Sequence, residues 1–105
     1  MPIFALSTHS GFPPAELASP EGLLAFGGDL SPRRLLLAYC RGIFPWYTED
    51  EPILWWSPDP RLVLYPKDFH LARRLRRTLR AGRFRLSADL AFGEVIRECG
   101  RVRCE

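Results

Sequence analysis

The sequence predicts an α+β fold, in which short strands and helices alternate along 105 residues. Three observations carry that reading. The stretch from Arg41 to Pro60 holds all three tryptophans and four of the ten prolines. Proline removes a backbone donor and restricts the residue before it, so this stretch is broken by turns and is no continuous helix. Two other segments carry helix caps and apolar faces at helical spacing, and several runs of four or five residues alternate as strands do.

Taken in order, Ile3 to Leu6 reads as an edge strand, and Gly11, Pro13 and Pro14 continue it as an irregular wrap. Leu23-Leu24-Ala25-Phe26 is too short for periodicity to assign as helix or strand. Gly27-Gly28-Asp29 ends it as a turn. No Gly-Lys-Ser/Thr follows, so the glycine pair is not a phosphate loop and serves to bend the chain at positive φ. A helix starts at Pro32 with Ser31 as N-cap and stops at Gly42. Its apolar face is Leu35, Leu36, Ala38 and Tyr39, with Arg33, Arg34 and Arg41 off that face.

The aromatic stretch then reads as turn, strand (Ile53 to Trp56) and turn. Adjacent on a strand, Trp55 and Trp56 must point to opposite faces, so at least one belongs to the core. Arg61 to Tyr65 alternates and predicts a strand. His70 to Arg80 predicts a second helix, with Leu71, Leu75 and Leu79 inside an arc of about 80° facing the protein. Phe84 to Ser87 predicts another strand and Asp89 to Cys99 a third helix, whose apolar set is Leu90, Phe92, Val95 and Ile96. Two or three strands flanked by helices normally recruit more strands before a sheet closes, so the chain reads as the first part of a longer protein.

Composition narrows the class. Hydrophobic content of 47% and charged content of 26% are those of a globular protein. No apolar run reaches the roughly 18 residues of a membrane span, and the N-terminus lacks the basic and apolar regions of an export signal. A cytoplasmic location without membrane association is expected. Cys40, Cys99 and Cys104 read as reduced thiols, and their spacing from His9 and His70 does not suit a metal site. Net charge is only +3, yet Lys67 to Arg85 holds eight basic residues against one acidic residue. A localised positive field implies a localised anionic partner.

Several side chains have two readings at this stage. Trp46 and Tyr39 are flat rings for stacking on a ligand, or core residues. Arg73, Arg76, Arg77 and Arg80 are phosphate contacts, or a solvated face; no carboxylate at i+4 neutralises them. Asp29 and Asp59, flanked by glycine and proline, read as turn and capping residues and not as an acid/base pair. A non-catalytic RNA-binding module and a peptide-binding module using Trp55 and Trp56 as an aromatic groove are both compatible with these features.

The run Gly22 to Pro32 (Gly-Leu-Leu-Ala-Phe-Gly-Gly-Asp-Leu-Ser-Pro), with Leu35-Leu36, Ala38-Tyr39, Arg41-Gly42-Ile43-Phe44-Pro45-Trp46 and Pro52 to Arg61, resembles the N-terminal signature of leucyl/phenylalanyl-tRNA–protein transferases. The likeness extends from about residue 6 to Cys99. It implies an N-terminal domain over residues 1–61, and over 62–105 the start of an incomplete second domain of acetyltransferase-like (GNAT) fold. It further implies transfer of leucine or phenylalanine from aminoacyl-tRNA to an N-terminal Arg or Lys of acceptor proteins, marking them for degradation by the N-end rule. The aminoacyl ester is already activated, so no cofactor, ATP or metal is implied. Attack of an amine on that ester needs a proton acceptor and stabilisation of the oxyanion. The family places its catalytic carboxylate and amino-acid pocket further C-terminal, so no catalytic residue is expected in this chain, which alone is expected to be inactive; the complete protein is expected to be a monomer. By the same resemblance Trp46 and Tyr39 receive the tRNA 3′ adenosine, and Arg73, Arg76, Arg77 and Arg80 contact the tRNA backbone. The family's Gly-Thr-Trp-Ile-type segment, expected shortly after Cys99, is not found; the tail from Arg101 to Glu105 departs from the pattern.

Overall fold

Pairing of short strands around one buried indole organises the first part of the chain. The computed structural model describes residues 2–101, and divides into two units, Met1–Val63 and Leu64–Glu105. The first holds β1 (Phe4–Leu6), a 3₁₀ turn (Ala15–Leu17), β2 (Leu23–Gly27), α1 (Pro32–Cys40), β3 (Phe44–Pro45) and β4 (Leu54–Trp56). The sheet order is β1-β2-β4-β3. β1 runs parallel to β2, and β4 is antiparallel to both β2 and β3. With the helices this makes the fold α+β, as the sequence predicts. No helix among the described residues is long and apolar enough to cross a membrane.

Leu23 to Phe26, left open by periodicity, is a strand held on both sides. β3 falls where a turn is expected. A proline can take part because β3 is an edge strand, where a missing N–H costs no ladder bond. The core is Phe12, Leu24, Ala25, Ala38, Ile43 and Trp55. Trp55 is fully buried; its ring meets that of Phe12 edge-on at 4.9 Å, and its indole N–H donates to the Gly27 carbonyl at 2.9 Å. That bond satisfies the one polar atom the ring takes into the core.

α1 has the caps the sequence announces. The Ser31 hydroxyl accepts from the Arg34 N–H at 3.3 Å, Pro32 sits in the first turn, and Gly42 follows with φ of 72°. Its faces differ from the expected ones. Leu36 and Tyr39 are exposed, whereas Arg34 is buried beside Ala38. The guanidinium enters because the wrap before β2 presents bare carbonyls to it: Arg34 donates to Ser7 at 2.8 Å, Thr8 at 3.4 Å and Ser10 at 3.2 Å. Its Nε makes no hydrogen bond and lies 3.5 Å from the Asp29 carboxylate. Gly28 makes room for it, since a Cβ there would stand 3.1 Å from the guanidinium carbon. Asp29 is a turn residue, accepting from the Ser31 N–H at 2.9 Å.

The second unit contains a 3₁₀ turn (Pro66–Asp68), α2 (Arg73–Arg80) and α3 (Phe92–Arg101). The strands predicted over Arg61 to Tyr65 and Phe84 to Ser87 are not formed. Alternation alone makes no strand where no neighbouring backbone completes a ladder. α2 begins three residues later than expected, at the Arg76 N–H bond to the Ala72 carbonyl, 2.9 Å. It ends at Ala81 and Gly82 as predicted. Leu75 and Leu79 do not reach a core; they are 48% and 44% exposed. α3 starts at Phe92 and not at Asp89, because Asp89 adopts φ of 59°, outside the right-handed helical region. Cys40 and Cys99 are unpaired, exposed thiols. Cys104 and the atypical tail over residues 102–105 lie outside the described residues.

Replacing Arg34 by Met would leave the wrap's carbonyls facing an apolar side chain. The expected loss is about 2–3 kcal/mol in urea unfolding. Asp29 adds a pH dependence. The hydrogen bond from the Ser31 hydroxyl, then that from its N–H, and lastly Arg34 hold its carboxyl below the usual carboxylate range. The folded state therefore prefers the ionised form, and this contribution is complete at neutral pH and lost as pH falls through the depressed value. Asp29→Asn should lower stability at neutral pH, with the gap to the unsubstituted protein closing in acid.

Candidate functional site

The turn that ends α1 also builds a hollow rich in exposed rings. Tyr39, in the last turn of α1, points outward and is 64% exposed. Gly42 reverses the chain into β3, and β3 delivers Trp46, which is 70% exposed. Exposure of this ring is imposed by its backbone. The Trp46 N–H donates to the Leu54 carbonyl at 3.0 Å, and its carbonyl accepts from the Trp56 indole N–H at 2.8 Å. Between Tyr39 and Trp46 lies an open hollow of about 500 Å³, whose walls include Phe44, Pro45 and Arg61.

Arg61 is placed by two contacts. One guanidinium nitrogen donates to the Gly42 carbonyl at 2.7 Å, and the guanidinium carbon lies 5.5 Å from the Phe44 ring centre. Among the described residues no acidic side chain lines the hollow. The surface is thus apolar and flat, with one cation at its edge. Sequence reasoning brings Tyr39 and Trp46 forward but misses Arg61 and the Trp56 bond. The available signal for Arg61 was its place directly after the Pro58-Asp59-Pro60 turn, which holds it beside Gly42.

The three tryptophans have separate fates. Trp55 is wholly buried and Trp56 partly so, which speaks against the alternative of a peptide groove built from both rings. A smaller, polar cleft of about 210 Å³ lies beside the start of α1, with His9, Asp29, Ser31 and Arg33 on its walls. Its buried guanidinium, Arg34, is already spent on backbone carbonyls and Asp29.

In the second unit, Arg73, Arg76, Arg77 and Arg80 share α2. At helical spacing they occupy an arc of about 100°, and all four are exposed. Among the described residues none has a carboxylate within ion-pairing distance. The result is a continuous positive stripe.

The fold and surface define an α+β protein with exposed flat rings on one unit and, among the described residues, arginines without a carboxylate partner on the other. Residues 28–59 match the family model described as the leucyl/phenylalanyl-tRNA protein transferase N-terminal domain. Residues 63–105 match the one described as leucyl/phenylalanyl-tRNA protein transferase. Relatives named leucyl/phenylalanyl-tRNA–protein transferase include one from Anaeromyxobacter sp. (strain Fw109-5), 61% identical over 98% of this chain and 44% of its own length. Another, from Desulfatibacillum aliphaticivorans, is 58% identical over 98% of this chain and 44% of its own. The chain belongs to the leucyl/phenylalanyl-tRNA–protein transferase family, and spans less than half the length of these relatives.

Acrylamide quenching separates the indoles. Trp46→Phe should remove the most accessible part of the emission and change stability by no more than about 0.5 kcal/mol, as an exposed substitution. Trp55→Phe should leave quenching nearly unaltered and cost about 2 kcal/mol, from the lost bond and the cavity. Unchanged quenching in Trp46→Phe would contradict the exposed placement of that ring.

Proposed function

We propose that this chain is the N-terminal, RNA-binding portion of a cytoplasmic aminoacyltransferase. The complete protein moves leucine or phenylalanine from aminoacyl-tRNA to the N-terminal Arg or Lys of acceptor proteins, marking them for degradation by the N-end rule. The observation that carries this reading is the outward-facing pair Tyr39 and Trp46 on one hollow, both rings well over half exposed. Exposed apolar patches mark surfaces that bind a ligand or partner. Stacking a base on such a ring is worth about 1–3 kcal/mol, which is enough to hold the 3′ adenosine of a tRNA.

The second part of the proposal concerns α2. Arg73, Arg76, Arg77 and Arg80 neutralise phosphates of the tRNA body, so they position the RNA without reading bases. Division of labour follows: the stripe supplies affinity and the hollow seats the reacting end. Chemistry at the ester needs a proton acceptor. Among the described residues the hollow has no carboxylate or imidazole on its walls, so the acceptor comes from elsewhere in the complete protein. An acetyltransferase-like second domain, begun by the residues after 61, is the proposed source.

The test has two arms. With charged leucyl-tRNA and a peptide beginning with Arg, the 105-residue chain should bind the tRNA and transfer nothing; turnover would overturn the placement of the chemistry. Replacing Arg77 and Arg80 by Gln should lower tRNA affinity and flatten the slope of log affinity against log salt by about one to two units. The loss should be equal for leucyl- and phenylalanyl-tRNA. An unchanged slope would make the stripe a solvated face.

A further inference from the structure

We infer that the hollow is a site for a nucleotide and not for a base alone, with Arg61 as the residue that receives the 5′-phosphate next to the stacked ring. This rests on the reading of Tyr39 and Trp46 as an adenosine seat. A contrast with Arg34, in the same unit, makes the case. Arg34 is 6% exposed and spends its guanidinium on three backbone carbonyls and Asp29. Arg61 is exposed and, among the described residues, makes one hydrogen bond, to Gly42. It has no carboxylate within ion-pairing distance there.

That single bond and the Phe44 ring hold the guanidinium at the wall of the hollow. The Gly42 carbonyl that anchors it is itself set by the turn after α1 and is shared with the Ser57 hydroxyl at 3.4 Å. Most of the planar donor fork is therefore positioned in advance yet unused, and such a fork matches the oxygens of a phosphate. Ordering the side chain before the ligand arrives removes part of the entropy cost of binding. With no acid among the described residues that line the hollow, none of them competes for the cation. In a nucleotide the phosphate stands one sugar from the base, so rings and guanidinium on one hollow present the pair of groups such a ligand requires.

The experiment is a fluorescence titration of the 105-residue chain with adenosine, 5′-AMP and inorganic phosphate at low salt. The phosphate ester should tighten binding roughly three- to tenfold over adenosine, a range set by one solvent-accessible charge-assisted contact. Arg61→Gln should bring 5′-AMP down to the adenosine level while adenosine binding and the melting midpoint stay as they were. Trp46→Ala should weaken both ligands alike. Equal affinity for adenosine and 5′-AMP in the unsubstituted chain would overturn the role of Arg61 while leaving the stacking seat standing. So would a parallel loss of both ligands in Arg61→Gln, which would mark a packing role against Phe44. Inorganic phosphate binding as tightly as 5′-AMP would reduce the site to a bare anion contact and overturn the inference. If neither adenosine nor 5′-AMP binds, the stacking reading falls and this inference falls with it.

Discussion

Neighbouring residues on a strand point to opposite faces, and on β4 those residues are Trp55 and Trp56. One ring goes inward and closes the core, with its N–H on the Gly27 carbonyl. The other stays at the surface and spends its N–H on the Trp46 carbonyl. A single strand of three residues thereby ties β2 to the core and holds the segment that carries the exposed ring. The hollow inherits its rigidity from that strand. Its floor is backbone already committed to hydrogen bonds, and its walls are rings with few rotamers, so little order must be created on binding.

Much of this was legible because the signals were local. Ser31, Pro32 and Gly42 mark the ends of α1 by chemistry that acts within one turn, and the opposite facing of Trp55 and Trp56 follows from strand geometry alone. Arg34 was not legible. Its burial depends on carbonyls more than twenty residues away in the chain, and apolar periodicity assigns a charged residue to the outside. β3 was hidden by its proline, which is tolerated because the strand lies at an edge. The alternating runs at 61–65 and 84–87 failed for the opposite reason: their pattern is right, but a strand needs a neighbour. Asp89 shows a third limit, since one left-handed residue moves a helix start that propensity cannot locate.

On the proposed reading, the same division separates affinity from placement at the surface. Unpaired arginines on α2 attract an anion over a distance of about one Debye length, roughly 8–10 Å at ordinary salt. They carry no information about which nucleotide arrives. The hollow is flat and mostly apolar; as the proposed adenosine seat it would work only at contact and favour an unstacked base over a paired one. Among the described residues around it there is no group able to accept a proton from an attacking amine. Family membership and physical inventory both support the proposal that this portion presents the RNA end and that its chemistry requires a partner surface.

The most direct measurement compares binding of this chain to tRNA ending in C-C-A with binding to the same tRNA lacking only the terminal adenosine. Removing that nucleotide should weaken binding by about 1–3 kcal/mol, roughly five- to 150-fold, if the base stacks in the hollow. With Trp46→Ala the two RNAs should bind nearly alike, because the seat is gone and the arginine stripe remains. Equal affinity for both RNAs in the unsubstituted chain, or a terminal-adenosine effect that survives Trp46→Ala, would contradict the account.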